Sequence, residues 1–508
     1  MKKIFLSLIL VFSSLFSFSQ EKGMDQKIDE AFAPISDFFS SVVFFQVLGY
    51  PFVILLLVGS ALFFTIYFGF PNIKYFFTAI NVVRGKYDDH DKSDDKSKDG
   101  EVSHFQALAT AVSGTVGNGN IAGVALAIAL GGPGATFWMV VCGLLGMSTK
   151  FVECTLGVQY RDVGEDGTVY GGPMYYLSKG LKEKGFETFG KITAVIFAIC
   201  CIGGSFGGGN AAQANQATVV LKQLLGLESA SAGAIIGLIL AILVGIIIIG
   251  GIKRIASVTE KVVPFMALLY LFACVYILLI NFSLVDDAIS LIIREAFNPT
   301  AIGVGGIIGV LMVGFKRAAF SNEAGAGSAS IAHSAVKTKY SASEGLVALL
   351  EPFIDTVLIC TMTALVIIIF NFGGYFEYGG DGMGSVMIDG VSFEGAGITS
   401  QAFAQYIPYS DLFLTIAVVL FAVSTMISWS YYGLQSWKYL FGRGKSVDLT
   451  YKLLFCSFCV LGSAASMNSI WAFSDAMIFA MVFPNMIGLI FLFPIVKKQL
   501  KRYLKVIK

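Results

Sequence analysis

Charged side chains are scarce in this 508-residue chain, and their scarcity decides its class. Lys, Arg, Asp and Glu together make up 14% of the residues, whereas soluble domains carry about 25%. Hydrophobic residues make up 56%, and several windows of more than 18 residues are predominantly apolar, the signal for membrane-spanning helices. The net charge is only +1, so the composition gives no indication of a nucleic-acid partner. The sequence therefore predicts an integral membrane protein in the lipid bilayer.

Motifs of common enzymes are also missing. The sequence has no HExxH, GxSxG or Walker motif and no soluble segment long enough for a catalytic domain. The loop 372–408 is too short for a ligand-sensing domain, and no charged ring or filter repeat indicates a channel. The eight cysteines lie in apolar segments, which predicts small buried hydrophobic residues rather than disulfides or metal ligands. These absences argue against an enzyme, a sensor and a channel.

The N-terminus is typical of a secretory signal peptide. Residues 1–20 contain two lysines, an apolar run of about a dozen residues, and then small and polar residues. An uncleaved short anchor is the alternative. The following segment, 21–46, is predicted to lie outside the membrane, with an amphipathic helix over 24–39.

Apolar windows predict an all-α fold with about eleven membrane spans. An extra first span covers 47–70. Two sets of five spans follow, in 104–281 and in 300–496, and a basic tail covers 497–508. The spans are predicted at 47–70, 104–131, 135–158, 190–222, 232–251, 257–281, 300–335, 342–371, 409–435, 449–467 and 472–496.

Basic residues are concentrated in alternate loops and in the tail, whereas the 372–408 loop contains no Lys or Arg. Because basic loops remain in the cytoplasm, this pattern places the mature N-terminus outside and the C-terminus in the cytoplasm. The membrane is expected to be a bacterial inner membrane.

The stretch GTVGNGNIAG (114–123) interrupts the first span of the first set with poor helix formers. An unwound backbone is tolerated in a membrane where it lines a cavity. The N–H groups of the second half-helix would suit a carboxylate, and carbonyls of the first half would suit a small cation. A helix-packing motif, which also uses glycine, is the alternative. Packing explains Gly114 but does not explain Asn118 and Asn120 beside Gly119.

The first span of the second set is also predicted to be broken, at Gly314, with Lys316 and Arg317 directly after it. Because each set has an odd number of spans, the two sets have opposite orientations in the membrane. Inverted repeats whose first helices are both broken are typical of transporters. Ionisable residues inside a membrane usually have partners. We expect an ion pair between Lys316 or Arg317 and Glu351 or Asp355, acting as a gate. Snorkelling of the two basic side chains to water is the alternative.

Four stretches resemble the alanine/glycine:cation symporter family of bacteria and archaea. They are GTVGNGNIAGVALAIALGGPGATFWM (114–139), GGPMYY (171–176), FSNEAGAGSASIAHSA (320–335) and SWSYYG (428–433). The resemblance extends over nearly all of residues 47–500, although Asn118 stands where the family usually has Thr. It implies a LeuT-type fold, with one extra leading helix and a five-plus-five inverted repeat.

The resemblance also implies a set of site residues. The N–H groups of Asn118 and Gly119 would receive the substrate carboxylate, and Trp429 would limit the size of the substrate. The candidate substrate-binding residues are Thr115, Gly117, Asn118, Gly119, Asn120, Gly208, Gln213, Gly314, Phe315, Thr425 and Trp429. A sodium site is implied at the hydroxyls of Ser424 and Thr425 and the carbonyls of Ser113 and Val116, and an all-oxygen shell suits a hard alkali cation.

The function implied by the resemblance is import of a small neutral amino acid, alanine or glycine, with Na⁺ as the coupling ion and no organic cofactor. A proton-coupled symporter, in which Asp355 or Glu351 carries the proton, is the alternative. The expected partners are the amino acid and the lipid bilayer, and the expected state is a monomer.

Overall fold

A helical bundle with short hairpins makes up the structure. The computed structural model describes residues 24–91, 100–165, 167–227, 229, 231–299, 306–379, 382, 384–465 and 467–507. The predicted signal peptide, 1–20, lies outside the described residues. The helices that precede the two sets are α1 (Met24–Val43), α2 (Phe52–Tyr67), α3 (Pro71–Lys74), α4 (Phe76–Val83) and α5 (Asp88–Asp91).

The first set of spans begins with a bent pair of helices. Its helices are α6 (His104–Thr115), α7 (Val124–Gly131), α8 (Gly134–Gln159), α9 (Pro173–Tyr175), α10 (Leu181–Glu183), α11 (Glu187–Phe206), α12 (Ala212–Leu225), α13 (Ala232–Ile248) and α14 (Gly251–Ile280). Helix α15 (Phe282–Phe297) connects the two sets.

The second set contains α16 (Gly306–Asn322), α17 (Ala329–His333), α18 (Ser341–Ala348), α19 (Leu350–Pro352), α20 (Thr361–Asn371), α21 (Ala396–Ala404), α22 (Ser410–Phe441), α23 (Lys445–Ala464) and α24 (Met467–Val506). Wider π-helical turns join some of these helices, at Gly119–Gly123, Tyr176–Gly180, Gly207–Ala211 and Phe353–Cys360. The strands form antiparallel pairs: β1 (Gln46–Val47) with β2 (Tyr50–Pro51), β3 (Asp162–Val163) with β4 (Val169–Tyr170), and β5 (Ser385–Ile388) with β6 (Val391–Glu394).

The predicted all-α membrane fold is confirmed. Among the described residues, seven helical stretches are long and apolar enough to cross a membrane, and an eighth results if the bent pair counts as one span. The shorter apolar helices α2 and α13 lie within two further predicted spans. The count of eleven spans stays a prediction.

The first break lies where the sequence predicted it. Helix α6 begins after Ser103, whose hydroxyl accepts a hydrogen bond from the Gln106 N–H while the Gln106 side chain accepts one from the Ser103 N–H. This reciprocal cap satisfies two donors that a helix end leaves free. The helix ends at Thr115, and the segment Gly119–Gly131 continues at an angle of 52° to it.

The second break lies elsewhere than predicted. Helix α16 runs without interruption through Gly314, and the chain leaves the helix at Glu323, whose φ of +54° is left-handed. Gly325 and Gly327 follow with φ of +95° and +88°, which glycine adopts at little cost. The sequence EAGAG therefore makes the break, and the prediction of a break at Gly314 is wrong.

Two helices outside the predicted spans cover the end of the bundle opposite the basic tail. Helix α15 packs on α8, where the indole N–H of Trp138 donates to the carbonyl of Ala296 at 3.2 Å. Helix α21 lies against the first break, because the hydroxyl of Thr399 donates to the carbonyl of Ile121 at 3.2 Å. Both segments contain too many polar residues to be recognised by an apolar window.

Polar contacts fasten the connecting segments at the basic end. The Arg161 guanidinium donates to the backbone carbonyls of Ser334, Val336 and Thr338, which hold the segment after α17 in place. The Arg443 side chain donates to Asp162 at 2.7 Å, and this hydrogen bond lowers the pKa of the Asp162 carboxyl. The loops between α8 and α9 and between α22 and α23 are thereby joined.

The cysteines are free thiols, and each is buried or partly buried. Cys456 and Cys459 have a CxxC spacing, but each thiol donates at 3.6 Å to a separate backbone carbonyl of α13, those of Ala241 and Gly237. They pack as small hydrophobic residues, as the sequence predicted.

The orientation of the bundle can be tested by labelling. In a cysteine-free background, single cysteines at Lys184 and Tyr409 should react with a membrane-impermeant thiol reagent from opposite sides. Lys184 is exposed at the basic end, and Tyr409, 90% exposed, precedes α22 at the other end. We expect labelling of position 184 only from the cytoplasm and of position 409 only from outside. Labelling of both from one side would contradict the predicted orientation.

Candidate functional site

The first break directs backbone N–H groups into the middle of the bundle. The Gly117 N–H donates to the Asn120 side chain at 2.9 Å, and the Asn118 N–H donates to Oε1 of Gln213 at 3.0 Å. The Gly119 N–H has no backbone acceptor among the described residues, and Gly119 borders a cavity. Of the two N–H groups predicted to receive a carboxylate, the Gly119 group is therefore open and the Asn118 group is occupied by Gln213.

The cavity lies between the two breaks and has a volume of about 10 Å³, which is room for about one water molecule. Pockets for drug-sized ligands are typically about 300–1,000 Å³, so this form of the protein is tightly packed between the breaks. Its lining residues are Gly114, Thr115, Gly119, Gly208, Gln213, Phe320, Ser321, Glu323, Thr425, Trp429 and Ile478. The structure thus brings together six of the predicted substrate-binding residues: Thr115, Gly119, Gly208, Gln213, Thr425 and Trp429.

A π-helical turn, Gly207–Ala211, positions Gln213. The Gln213 side-chain N–H donates to the carbonyl of Gly208 at 3.0 Å, while its oxygen accepts from Asn118. Since both ends of the amide are engaged, Gln213 braces the first break against the fourth predicted span.

Trp429 closes one side of the cavity and is 1% exposed. Its indole N–H donates to Oε1 of Glu323 at 2.9 Å, and the Ser328 hydroxyl donates to the other oxygen of the same carboxylate. Glu323 lies at the second break, and its own side chain is buried. The hydrogen bond therefore holds α22 against the second break and fixes the orientation of the indole.

Sequence reasoning missed Glu323, although its stretch FSNEAGAGSASIAHSA was singled out for its resemblance. A carboxylate next to alternating glycines inside an apolar span was the available signal, because an acid in a membrane is costly and usually functional. Ser321 and Phe320 were missed for a different reason. They became part of the site only because the break lies after Asn322 instead of at Gly314.

Oxygen atoms from α6 and α22 converge next to the cavity. The Thr425 hydroxyl lies 3.0 Å from the carbonyl oxygen of Ser113 and 3.5 Å from that of Val116. The Ser113 hydroxyl donates to the carbonyl of Ser424 at 2.7 Å, and the Ser424 hydroxyl donates to the carbonyl of Phe421. The four residues of the predicted sodium site are thus neighbours, and their oxygens have the chemistry of an alkali-cation shell.

Gly117 separates this oxygen cluster from the cavity. A Cβ at Gly117 would collide with the Thr425 hydroxyl and would lie 3.1 Å from Oε1 of Gln213. Only glycine lets the backbone approach both side chains this closely. The cation cluster and the cavity therefore share a single packed segment.

The predicted gate ion pair is wrong in its acidic partner. Both Lys316 and Arg317 contact Asp475 of α24, the lysine at 2.9 Å. The Arg317 guanidinium also lies over the rings of Phe320 and Trp471, which stack on each other with centroids 5.2 Å apart. Because Phe320 lines the cavity, this cluster of charged and aromatic side chains closes the cavity on one side.

The two acids predicted for that pair have other partners. Glu351 accepts from Lys150 of α8 at 3.0 Å. Asp355 accepts from the Asn120 side chain at 2.6 Å and from the Ser321 hydroxyl at 3.2 Å. The error arose because the sequence does not show which distant helix lies opposite Lys316 and Arg317.

Gly314 and Phe315 lie outside the lining of the cavity. A Cβ at Gly314 would lie 2.6 Å from the carbonyl oxygen of Ala135, so this glycine permits close packing of α16 on α8. The Phe315 ring is buried, with its centroid 6.4 Å from that of Trp138. Their predicted role in substrate binding followed from the misplaced break.

Comparison with known sequences finds transporters that resemble this chain. A sequence model described as the sodium:alanine symporter family matches residues 35–508. The sodium/alanine symporter AgcS of Methanococcus maripaludis is 39% identical over 89% of this chain and 94% of its own length. The sodium/proton-dependent alanine carrier protein of Bacillus sp. strain PS3 is 32% identical over 80% of this chain and 89% of its own length.

The fold also matches a solved structure. The crystal structure of MhsT in complex with L-phenylalanine has a TM-score of 0.50 and 13% identity, and the match covers 79% of this chain and 99% of that one. This likeness concerns the fold alone, and it confirms the predicted LeuT-type architecture.

Proposed function

The chain belongs to the sodium:alanine symporter family, and we propose that it imports alanine and glycine together with Na⁺ by alternating access. The observation that carries this proposal is the small closed cavity between two helix breaks, with an open backbone N–H at Gly119. Transporters of inverted-repeat architecture bind substrates and ions at such breaks.

Each part of a small zwitterion has a counterpart in the cavity. The carboxylate would accept from the Gly119 N–H, at the positive end of the half-helix dipole. The ammonium group would face Glu323, the carboxylate among the residues that line the cavity. The side chain would point toward the apolar surfaces of Trp429 and Ile478, and the narrowness of the cavity favours hydrogen or methyl over larger groups.

Na⁺ would bind where the oxygens of Ser113, Val116, Ser424 and Thr425 converge. Bound there, it would hold α6 against α22 and stabilise the position of Gly117, on which the cavity depends. Coupling then has a simple physical basis: the ion and the amino acid both stabilise the same packed arrangement of the first break, so each raises the affinity for the other.

A proton-coupled version is supported by one observation. The Asp355 carboxylate is fully buried and accepts hydrogen bonds from neutral donors, the Asn120 amide and the hydroxyls of Ser321 and Thr356. A buried carboxylate with such partners favours a proton or a cation. In this alternative, uptake would follow a pH gradient at constant Na⁺.

Uptake of radiolabelled alanine into proteoliposomes tests both versions. We expect accumulation with an inward Na⁺ gradient and little with K⁺ in its place. Accumulation driven by a pH gradient without Na⁺ would favour the alternative, and the absence of alanine uptake under either gradient would refute both.

Thr425→Ala should raise the Na⁺ concentration needed for half-maximal uptake roughly tenfold, because a lost bond to a charged group costs about 1.5 kcal/mol. Ser430→Ala is the matched control on the same helix, since the Ser430 hydroxyl donates to the carbonyl of Ile427 in its own helix. The measurement is Na⁺-dependent uptake at fixed alanine. An unchanged half-saturation in Thr425→Ala would place the ion elsewhere.

A further inference from the structure

A chain of buried titratable side chains extends inward from the basic end of the bundle. His104 of α6 contacts Glu344 of α18, and Nδ1 of His333 lies 2.5 Å from the other oxygen of Glu344. Glu351 comes next and pairs with Lys150 of α8 at 3.0 Å. The side chain of His104 is 7% exposed and the other four are fully buried. The chain has only three histidines, and two of them converge on one carboxylate.

Two atoms in this chain lack a partner. Nε2 of His333 and Oε2 of Glu351 face each other at 3.6 Å, and neither forms a hydrogen bond with any described residue. Because Nδ1 of His333 faces Glu344 at hydrogen-bond distance, that nitrogen carries the proton of a neutral imidazole. The lone pair of Nε2 then points at a carboxylate oxygen. One added proton would turn two facing acceptors into a charge-assisted hydrogen bond.

The charges around the pair also favour an added proton. With neutral histidines, Glu344 and Glu351 are balanced only by Lys150, which leaves one negative charge buried. Within the described part of the chain, the other titratable groups nearby add acids and no further base. They are Glu153, Cys154 and Tyr176 from the first set, and Glu323, Asp355 and Tyr432 from the second. Burial of an uncompensated charge is costly, so one proton on His333 neutralises the group.

We propose that the gap between His333 and Glu351 is a proton-binding site, separate from the sodium and substrate sites, that holds the basic end of the bundle closed. One proton from water at the basic end binds to Nε2 of His333, and the same proton leaves when the site empties. No other bond is formed or broken. This inference rests on the proposed function as an alternating-access transporter.

The position of the site explains why it would affect opening. His104 starts α6 and His333 ends α17, and these are the halves of the two broken spans that lie toward the basic end. Their contacts with Glu344 and Glu351 fasten both halves to α18 and α19. With the proton bound, the cluster is neutral and the contacts stabilise the closed form. When the proton is lost at higher pH, a negative charge remains and the closed form becomes less stable, so that alkaline pH on this side favours release of substrate there.

Thermal unfolding of the substrate-free protein as a function of pH tests the site directly. We expect the unfolding temperature of the wild type to fall as pH rises above about 6.5, the ordinary pKa of histidine, because the folded protein holds this proton to higher pH than the unfolded chain does. His333→Gln should abolish this shift, because the amide donates to Glu351 without titrating. His90→Gln is the matched control, since His90 is exposed on α5, and it should retain the shift. A His333→Gln protein with the wild-type pH dependence would overturn the proposal.

A second measurement uses only the wild-type protein. It therefore tests the proposal even if the His333→Gln protein fails to fold. Histidine-labelled wild-type protein should give three imidazole signals in NMR. We expect one signal, other than that of exposed His90, to titrate over the pH range in which the unfolding temperature changes. If only the His90 signal titrates, the proposal is wrong. Neither measurement uses alanine. A failure of alanine transport would therefore refute the proposed function without refuting the proton-binding site.

Discussion

Gly117→Ala should lose Na⁺-dependent alanine uptake almost completely, although it adds only one methyl group. The added Cβ would collide with the Thr425 hydroxyl and press on Oε1 of Gln213 at 3.1 Å. Thr425 belongs to the proposed sodium site and Gln213 braces the first break, so one methyl group would disturb both. Overpacking of this kind costs about 1–3 kcal/mol, which corresponds to roughly a ten- to hundredfold loss of coupled binding.

Gly123→Ala is the matched control for this change, because it lies in the same segment and the nearest atom to its added Cβ, on Trp471, is 3.9 Å away. It should transport alanine at nearly the wild-type rate. The measurement is initial uptake into proteoliposomes at saturating Na⁺, with equal amounts of folded protein. Equal loss of uptake in both variants would indicate a general weakness of the segment and would contradict the assigned role of Gly117.

Gly119→Ala separates the substrate site from the sodium site. Its Cβ would lie 3.5 Å from Ser321, an ordinary contact, so the protein should fold and bind Na⁺. Because Ser321 lines the cavity, the methyl group would nevertheless take up space next to the proposed carboxylate position. Thermal stabilisation by alanine should therefore be lost while stabilisation by Na⁺ remains.

Lys150→Met should lower the free energy of unfolding by about 3–5 kcal/mol, the usual cost of removing one partner from a buried ion pair. Lys150 is fully buried and pairs with Glu351, which would be left with its charge uncompensated. Methionine has a similar length and suits an apolar site, so the loss would come from charge and not from a cavity.

Chemical unfolding in detergent measures this effect. Lys182→Met, which breaks a contact with Glu187 between two largely exposed side chains, should leave the stability unchanged. Adding Glu351→Gln to Lys150→Met should recover part of the loss, because the unpaired charge is removed together with its partner. A Lys150→Met protein as stable as the wild type would show that the buried pair does not hold α8 and α19 together.

The sequence and the structure agree wherever local chemistry determines the backbone. Glycines and asparagines in GTVGNGNIAG are poor helix formers, and the chain bends there by 52°. Apolar runs longer than a bilayer core form long helices regardless of their neighbours. The resemblance to a family added the positions of Gln213, Thr425 and Trp429, and the structure places all three around one cavity.

Errors arose where distance in the sequence says nothing about proximity in space. Lys316 and Arg317 were assigned to Glu351 and Asp355 of the next predicted span, but they contact Asp475. The second break was assigned to Gly314 because glycine weakens a helix. In the structure that glycine stays helical because α8 packs directly against it, and EAGAG provides the break instead.

The sequence by itself determined that this chain is a helical membrane protein and that two of its spans are broken. These properties depend on hydrophobicity, on helix propensity and on the conformational freedom of glycine, which act within a few neighbouring residues. The tertiary structure alone decided which charges pair, that Glu323 holds Trp429, and that His333 faces Glu351. Those contacts join residues that are far apart in the sequence, such as Lys150 and Glu351 at 201 positions. They form only when packing fixes how each helix is rotated about its axis.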